Sequence, residues 1–201
     1  MIVIGLTGSI GMGKSAVSDM FRRAGVPVFC ADAEVHRLQG PGGALVPHIE
    51  ARFPGSTSHR GVDRQTLGQM VLGKPGEIRA LEAIIHPAVH VSRQRWLRQY
   101  RSRPIVVLDI PLLLEKATKG KAIPGVDRVV VVSAPGWIQA KRVLRRRGMT
   151  RMRLAHIRRL QRPDHEKRAR ADHVIETGRP MVETAAQVLA LITCLRAAKR
   201  R

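Results

Sequence analysis

Short apolar runs separated by helical patterns set the rhythm of this chain. Runs over 2–6, 26–29, 105–109, 128–133 and 173–176 are rich in Val and Ile, which suits parallel strands covered on both faces. Pro27 puts the second run near a strand start or at a sheet edge. Between the runs the period shifts to 3.6. Residues 14–24 read as a helix stopped by Gly25, residues 33–38 as another, and a third begins near Pro135. Met181, Ala185, Val188, Ile192 and Leu195 line one face of a last helix, and Ile78, Leu81 and Ile85 line a face of another. Strand alternating with helix predicts an α/β doubly wound fold, a five-stranded parallel sheet flanked by helices.

The stretch 40–100 breaks that alternation. It holds helical patterns and Gly/Pro turns (Gly40-Pro41-Gly42-Gly43, Phe53-Pro54-Gly55, Gly73-Lys74-Pro75-Gly76) but no strand pattern. Asp63 stands as an N-cap ahead of Leu67, Met70 and Val71. The expectation is a helical insertion over one end of the sheet, either an acceptor-binding lid or additional scaffold. With 201 residues the chain holds one sizeable core. We read residues 1–201 as a single domain: a core of 1–39 and 101–201, the insertion 40–100, and a basic lid over 142–170.

Composition narrows the function classes. No apolar stretch approaches the roughly 20 residues of a membrane span, since Asp109 and Pro111 break the longest candidate. The chain opens directly into Ile2-Val3-Ile4-Gly5, without the basic start of a signal peptide. Cys30 and Cys194 are the only cysteines, which excludes a disulfide framework and fits two free thiols in a cytoplasmic protein. Charge is the unusual feature: 36 Lys and Arg against 15 acidic residues, a net +21. It concentrates between Arg142 and Arg170, where 12 of 29 residues are basic and two acidic. That balance suits nucleic acid, an anionic membrane or a polyphosphate ligand. Aromatic residues make up only 3% of the chain, too few to interleave with stacked bases, so no specific nucleic-acid partner is expected. A basic arm over nucleotide phosphates fits better, with part of it a solvated helix face. Nothing in the pattern specifies an oligomer.

The strongest motif is Gly8-Ser9-Ile10-Gly11-Met12-Gly13-Lys14-Ser15, a complete G-x-x-x-x-G-K-S between a predicted strand and a predicted helix. The glycines let the backbone curl so that its N–H groups face phosphate oxygens, and the helix N-terminus adds partial positive charge. Residues Gly8 to Ser15, with Ala16 beginning the helix, are the expected ATP-binding set. Lys14 reaches the β and γ phosphates, and the Ser15 hydroxyl can ligate Mg²⁺. The motif alone does not choose among a kinase, a GTPase and a DNA-handling ATPase.

Two aspartates follow strands, where ligands sit in open α/β sheets. Asp32, after Val28-Phe29-Cys30-Ala31, can take a proton from an attacking hydroxyl, help hold Mg²⁺, or cap the helix over 33–38. Asp109 closes Ile105-Val106-Val107-Leu108 in the manner of a Walker B strand. It either holds the metal through a water or caps the turn at Pro111-Leu112-Leu113-Leu114. Arg142, Arg145, Arg146 and Arg147 are non-titrating cations suited as a group to a transferring phosphoryl. The eight histidines show no metal-binding spacing, and His86 before Pro87 reads by default as packing at a helix end.

Taken together these residues resemble the dephospho-coenzyme A kinases. The resemblance starts with residues 4–15 and Ala31-Asp32. It continues through Val62-Asp63-Arg64 with Leu67-Gly68, Ile84-Ile85-His86-Pro87, and Leu108-Asp109-Ile110-Pro111-Leu112-Leu113-Leu114-Glu115. It closes with Arg142, Arg146, Gln161 and Ala171-Asp172. It implies a P-loop kinase core, a helical coenzyme-A-binding region and a lid. It also implies ATP-dependent phosphorylation of the ribose 3′-hydroxyl of dephospho-coenzyme A, the last step of coenzyme A synthesis. By that resemblance Asp32 is the base, and Arg142 and Arg146 stabilise charge on the phosphoryl group; Lys14 joins them from the motif, and Ser15 and Asp109 are the candidate Mg²⁺ residues. Arg64, His86, Pro111 and Leu112, with Asp32, shape the acceptor site. This chain departs from the pattern at three places. Cys30 stands where many members have Asp, Leu114 replaces the usual Phe, and Thr150-Arg151-Met152-Arg153 occupies a stretch commonly acidic.

Overall fold

The computed structural model describes residues 1–115 and 122–198. In chain order the elements are β1 (Ile2–Thr7), α1 (Lys14–Arg23), β2 (Val28–Cys30), α2 (Ala31–Gln39), α3 (Val46–Arg52), β3 (Thr57–Ser58), β4 (Gly61–Val62) and α4 (Arg64–Val71). They continue with α5 (Pro75–Gln99), β5 (Ile105–Asp109), β6 (Arg128–Ser133), α6 (Gly136–Leu144), α7 (Arg151–Leu160), α8 (Asp164–Arg168), β7 (His173–Glu176) and α9 (Met181–Ala198). The chain divides into two compact units, Met1–Phe29 with Tyr100–Arg201, and Cys30–Gln99.

The first unit is built on a five-stranded sheet in the order β2-β5-β1-β6-β7. β1 lies centrally, parallel to β5 (Ile4 opposite Val107) and to β6 (Leu6 opposite Val130), and β6 runs parallel to β7. The all-apolar runs are explained by burial on both faces: Ile4, Leu6, Val106, Val107, Val130 and Val132 are fully buried. Pro27 stands just before β2, an edge strand, and its carbonyl accepts the Val107 N–H at 2.9 Å. Val17 and Phe21 of α1 and Val188, Leu191, Ile192 and Leu195 of α9 close the core. Among the described residues α9 is the one helix long and apolar enough to cross a membrane (mean hydropathy 1.4), and those four side chains tie it to this core. Its first turn differs from the expected face, because Met181 is exposed and Thr184 takes the buried position one turn on.

Aspartates set the strand starts. Asp127 and Asp172 each accept a strand N–H, from Val3 and Val129 respectively, at 2.7 Å. Asp172 also donates its own N–H to the Val129 carbonyl at 2.9 Å, so this half of the Ala171-Asp172 pair works as a register clamp. Leu114 fills the position usual for Phe by packing, 1% exposed, with Val129 and Val131.

The second unit has its own core of Leu38, Leu45, Ile49, Phe53 and Leu67. Two findings correct the sequence reading there. The segment does contain strands: β3 and β4 form a short antiparallel hairpin. His86 is not at a helix end or a turn; it is exposed in mid-helix within α5, which runs 25 residues with Pro87 inside it. Proline removes one ladder N–H, yet the stripe Leu81, Ile84, Ile85, Ala88 and Val89 continues across it onto the unit's core. Ile78, placed by its spacing on that stripe, is 40% exposed instead. Asp63 caps α4 as expected, accepting the N–H groups of Gln65 (2.9 Å) and Thr66 (3.3 Å).

Candidate active site

The loop between β1 and α1 has the backbone an anion cradle needs. Gly11 and Gly13 have φ of 74° and 89°, a region costly to any residue with a Cβ. Space is short too: a Cβ on Gly11 would clash at 2.4 Å with a Val143 methyl, and one on Gly13 would crowd the Thr177 hydroxyl at 3.0 Å. The Met12 N–H is used inside the loop, on the Ser9 carbonyl at 3.1 Å. Among the described residues no partner is found for the N–H groups of Gly11, Gly13, Lys14 and Ser15. These donors meet the N-terminus of α1, whose first turn carries no acidic side chain to neutralise it. A tetrahedral anion is the natural occupant.

Lys14 and Asp109 meet directly, ammonium on carboxylate, with Asp109 only 3% exposed at the end of β5. The pairing gives Asp109 a role neither alternative had named, and it leaves the Pro111 turn to another residue. The Pro111 carbonyl accepts the Thr7 hydroxyl at 2.8 Å. Leu112 beside it is half exposed. Ser15 is exposed, and its hydroxyl has no partner among the described residues. The Ser15 hydroxyl and the Asp109 carboxylate are hard oxygen donors of the kind that Mg²⁺ takes. No group of three or more His, Cys, Asp or Glu side chains is available to any metal among the described residues, so phosphate and water must complete such a shell.

The arginines differ in how they are held. Arg142, on α6, donates to the Thr177 carbonyl at 2.6 Å and to its hydroxyl at 3.1 Å. That hydroxyl in turn donates to the Met12 carbonyl at 2.6 Å, so Arg142 is fastened to the loop. Arg146, just past α6, is exposed, as are Arg145, Arg147, Arg151, Arg153 and Arg159. Thr177, Gln139 and Lys167 were not legible in the sequence as site residues. Lys167 is fully buried, donates to the Ser9 hydroxyl at 3.0 Å and pairs with Glu115 at 2.5 Å. Thr177 reaches across 165 positions of sequence, a separation at which no local spacing can signal contact.

In the second unit, Asp32 sits in the first turn of α2, where the N-cap is Cys30. The capping alternative for Asp32 is therefore excluded: its carboxylate is exposed and has no partner among the described residues. Cys30 itself makes no side-chain cap bond. Arg64 is the first residue of α4 and exposed.

Residues 2–182 match the family model described as dephospho-CoA kinase. The chain is 56% identical over 194 residues to the dephospho-CoA kinase of Novosphingobium aromaticivorans, covering 96% of this chain and 94% of that one. It is 48% identical to the dephospho-CoA kinase of Zymomonas mobilis, with 97% of each chain covered. Among solved structures, TT1252 from Thermus thermophilus superposes with a TM-score of 0.78 at 34% identity, covering 96% of each chain.

Proposed function

The chain belongs to the dephospho-CoA kinase family, and from that premise we propose how its residues divide the phosphorylation of dephospho-CoA by ATP. The observation that carries the reading is the cradle itself: four amides with no partner among the described residues, a helix N-terminus, and Lys14 held on a buried aspartate.

Phosphates of ATP settle on the N–H groups of Gly11, Gly13, Lys14 and Ser15. Lys14 then exchanges Asp109 for the β and γ oxygens, drawing negative charge off the bridging oxygen as it becomes the leaving group. Ser15 and Asp109 would hold Mg²⁺, which when bound supplies further neutralisation of the triphosphate. Arg142 and Arg146 stabilise the charge that develops on the transferring group.

Asp32 receives the proton of the acceptor's ribose 3′-hydroxyl as that oxygen attacks phosphorus. Its position two residues past β2, its exposure, and its freedom from capping all support that role. Arg64 and His86 of the insertion, with Pro111 and Leu112 of the core, take the rest of the acceptor. The core of 1–39 and 101–201 supplies the nucleotide site along with Asp32, Pro111 and Leu112, 40–100 the helical acceptor-binding part, and 142–170 the lid that excludes water from the phosphoryl group. The two thiols, Cys30 half-buried and Cys194 exposed, are free, which supports work in the reducing cytoplasm.

The test is an acceptor panel. With ATP and Mg²⁺, dephospho-CoA, shikimate and a nucleoside monophosphate are offered separately and products read by mass. One added phosphoryl on dephospho-CoA alone is expected. A comparable kcat/KM on either other acceptor overturns the reading.

A further inference from the structure

Two glutamines hold the peptide groups on either side of Ile10. Gln161, the C-cap of α7, accepts the Ile10 N–H on its Oε1 at 3.1 Å. Gln139, on α6 and only 4% exposed, donates from Nε2 to the Ile10 carbonyl at 2.8 Å. Gln139 cannot turn over freely, because Arg158 of α7 donates to its Oε1 at 2.9 Å while also donating to the Gly136 carbonyl at 3.0 Å. We propose that Gln139 and Gln161 are positioning residues for ATP, fixing the peptide planes that aim the phosphate-binding amides of the loop.

Peptide planarity links these bonds to the phosphate-binding amides. The Ile10 carbonyl and the Gly11 N–H belong to one trans peptide and point in opposite directions. Holding that carbonyl against α6 therefore directs the Gly11 N–H away from α6. A glycine with φ of 74° beside it has no side chain to resist a peptide flip, so the restraint has to come from outside the loop. The same device recurs two residues on, where the Thr177 hydroxyl holds the Met12 carbonyl at 2.6 Å and so directs the Gly13 N–H. Gln161 removes the Ile10 N–H from competition for phosphate and locks the preceding peptide. Glutamine suits both tasks, since its amide donates and accepts without adding charge next to a polyanion.

This inference rests on the loop being the ATP site, and the wild-type enzyme's own ATP binding checks that separately. Gln139→Met and Gln161→Met preserve side-chain length and remove the bonds. Gln161→Leu removes the acceptor for the Ile10 N–H without touching the buried Gln139–Arg158 pair, so the test stands even if Gln139→Met folds poorly. Affinities are measured for ATP, for inorganic tripolyphosphate and for dephospho-CoA, alongside the steady-state KM and kcat. Each variant should bind ATP roughly three- to tenfold more weakly, the loss expected for one neutral hydrogen bond. Tripolyphosphate should weaken by the same factor and dephospho-CoA by less than about twofold, the span that one neutral bond at most reaches at its weak end. ATP binding unchanged in all three variants overturns the proposal. So does a loss for ATP that tripolyphosphate does not share, or one that dephospho-CoA shares equally.

Discussion

Asp32 and Asp109 show how one residue type is given different work by its surroundings. Asp109 is buried against Lys14 at the end of β5, whereas Asp32 is exposed in the first turn of α2 with no partner among the described residues. A carboxylate kept free of capping is available for proton transfer, and Asp32→Asn tests it. The expected loss in kcat is about 10²–10⁴-fold, the span of general base catalysis, with ATP affinity essentially unchanged by equilibrium titration. A variant turning over within about threefold of wild type would remove Asp32 from that role. Lys14→Met should abolish tight ATP binding and lower the melting temperature of the nucleotide-free protein, because it strands a buried carboxylate. An unshifted melting temperature would mean that the pair contributes nothing to the empty state.

Single elements depend on backbone features that side-chain chemistry does not supply. The β1–α1 loop needs Gly13 at φ 89° with its Cα against Thr177. Gly13→Ala should cost about 1–3 kcal/mol of stability through backbone strain alone and remove ATP binding, read by chemical denaturation and titration. Helix α4 depends on its cap. The Asp63 carboxyl is held below the usual range, first by the Thr66 hydroxyl and then by the Thr66 and Gln65 N–H groups. A lowered folded value means that the stabilisation is complete above the unfolded aspartate range, near about pH 4. It is lost as pH falls through the folded value. Asp63→Ala should therefore lower the melting temperature at neutral pH, with the gap to wild type closing in acid. A gap independent of pH would show that the carboxylate is not the source.

At the scale of the whole molecule, charge dominates. A net +21 over 201 residues repels itself in the folded state and attracts anionic ligands. Many of the lid arginines are exposed, and among the described residues its segment shows the ion pairs Arg162–Glu166, Lys167–Glu115 and Arg168–Glu176. Raising salt from about 20 to 200 mM shortens the screening length to below about 10 Å. The melting temperature should then rise as self-repulsion is screened, while KM for ATP rises because attraction is screened too. A melting temperature that falls over that range would show that specific ion pairs outweigh the net repulsion.

The sequence by itself determined the five core strands, the phosphate loop, the Asp63 cap and the kinase family. Each of these is written in local order: apolar runs, glycines at fixed offsets, a capping residue ahead of its helix. It also placed Lys14, Ser15 and Asp109 at the ends of the right elements. Tertiary structure alone decided that Lys14 rests on Asp109, that Thr177 and two glutamines hold the loop, and that Lys167 is buried beneath Ser9. It alone decided that α5 runs straight through Pro87 and that Met181 and Ile78 face outward. Those outcomes come from contacts between residues up to 165 positions apart, and from packing that overrides local helix preference. Neither leaves a periodic trace along the chain.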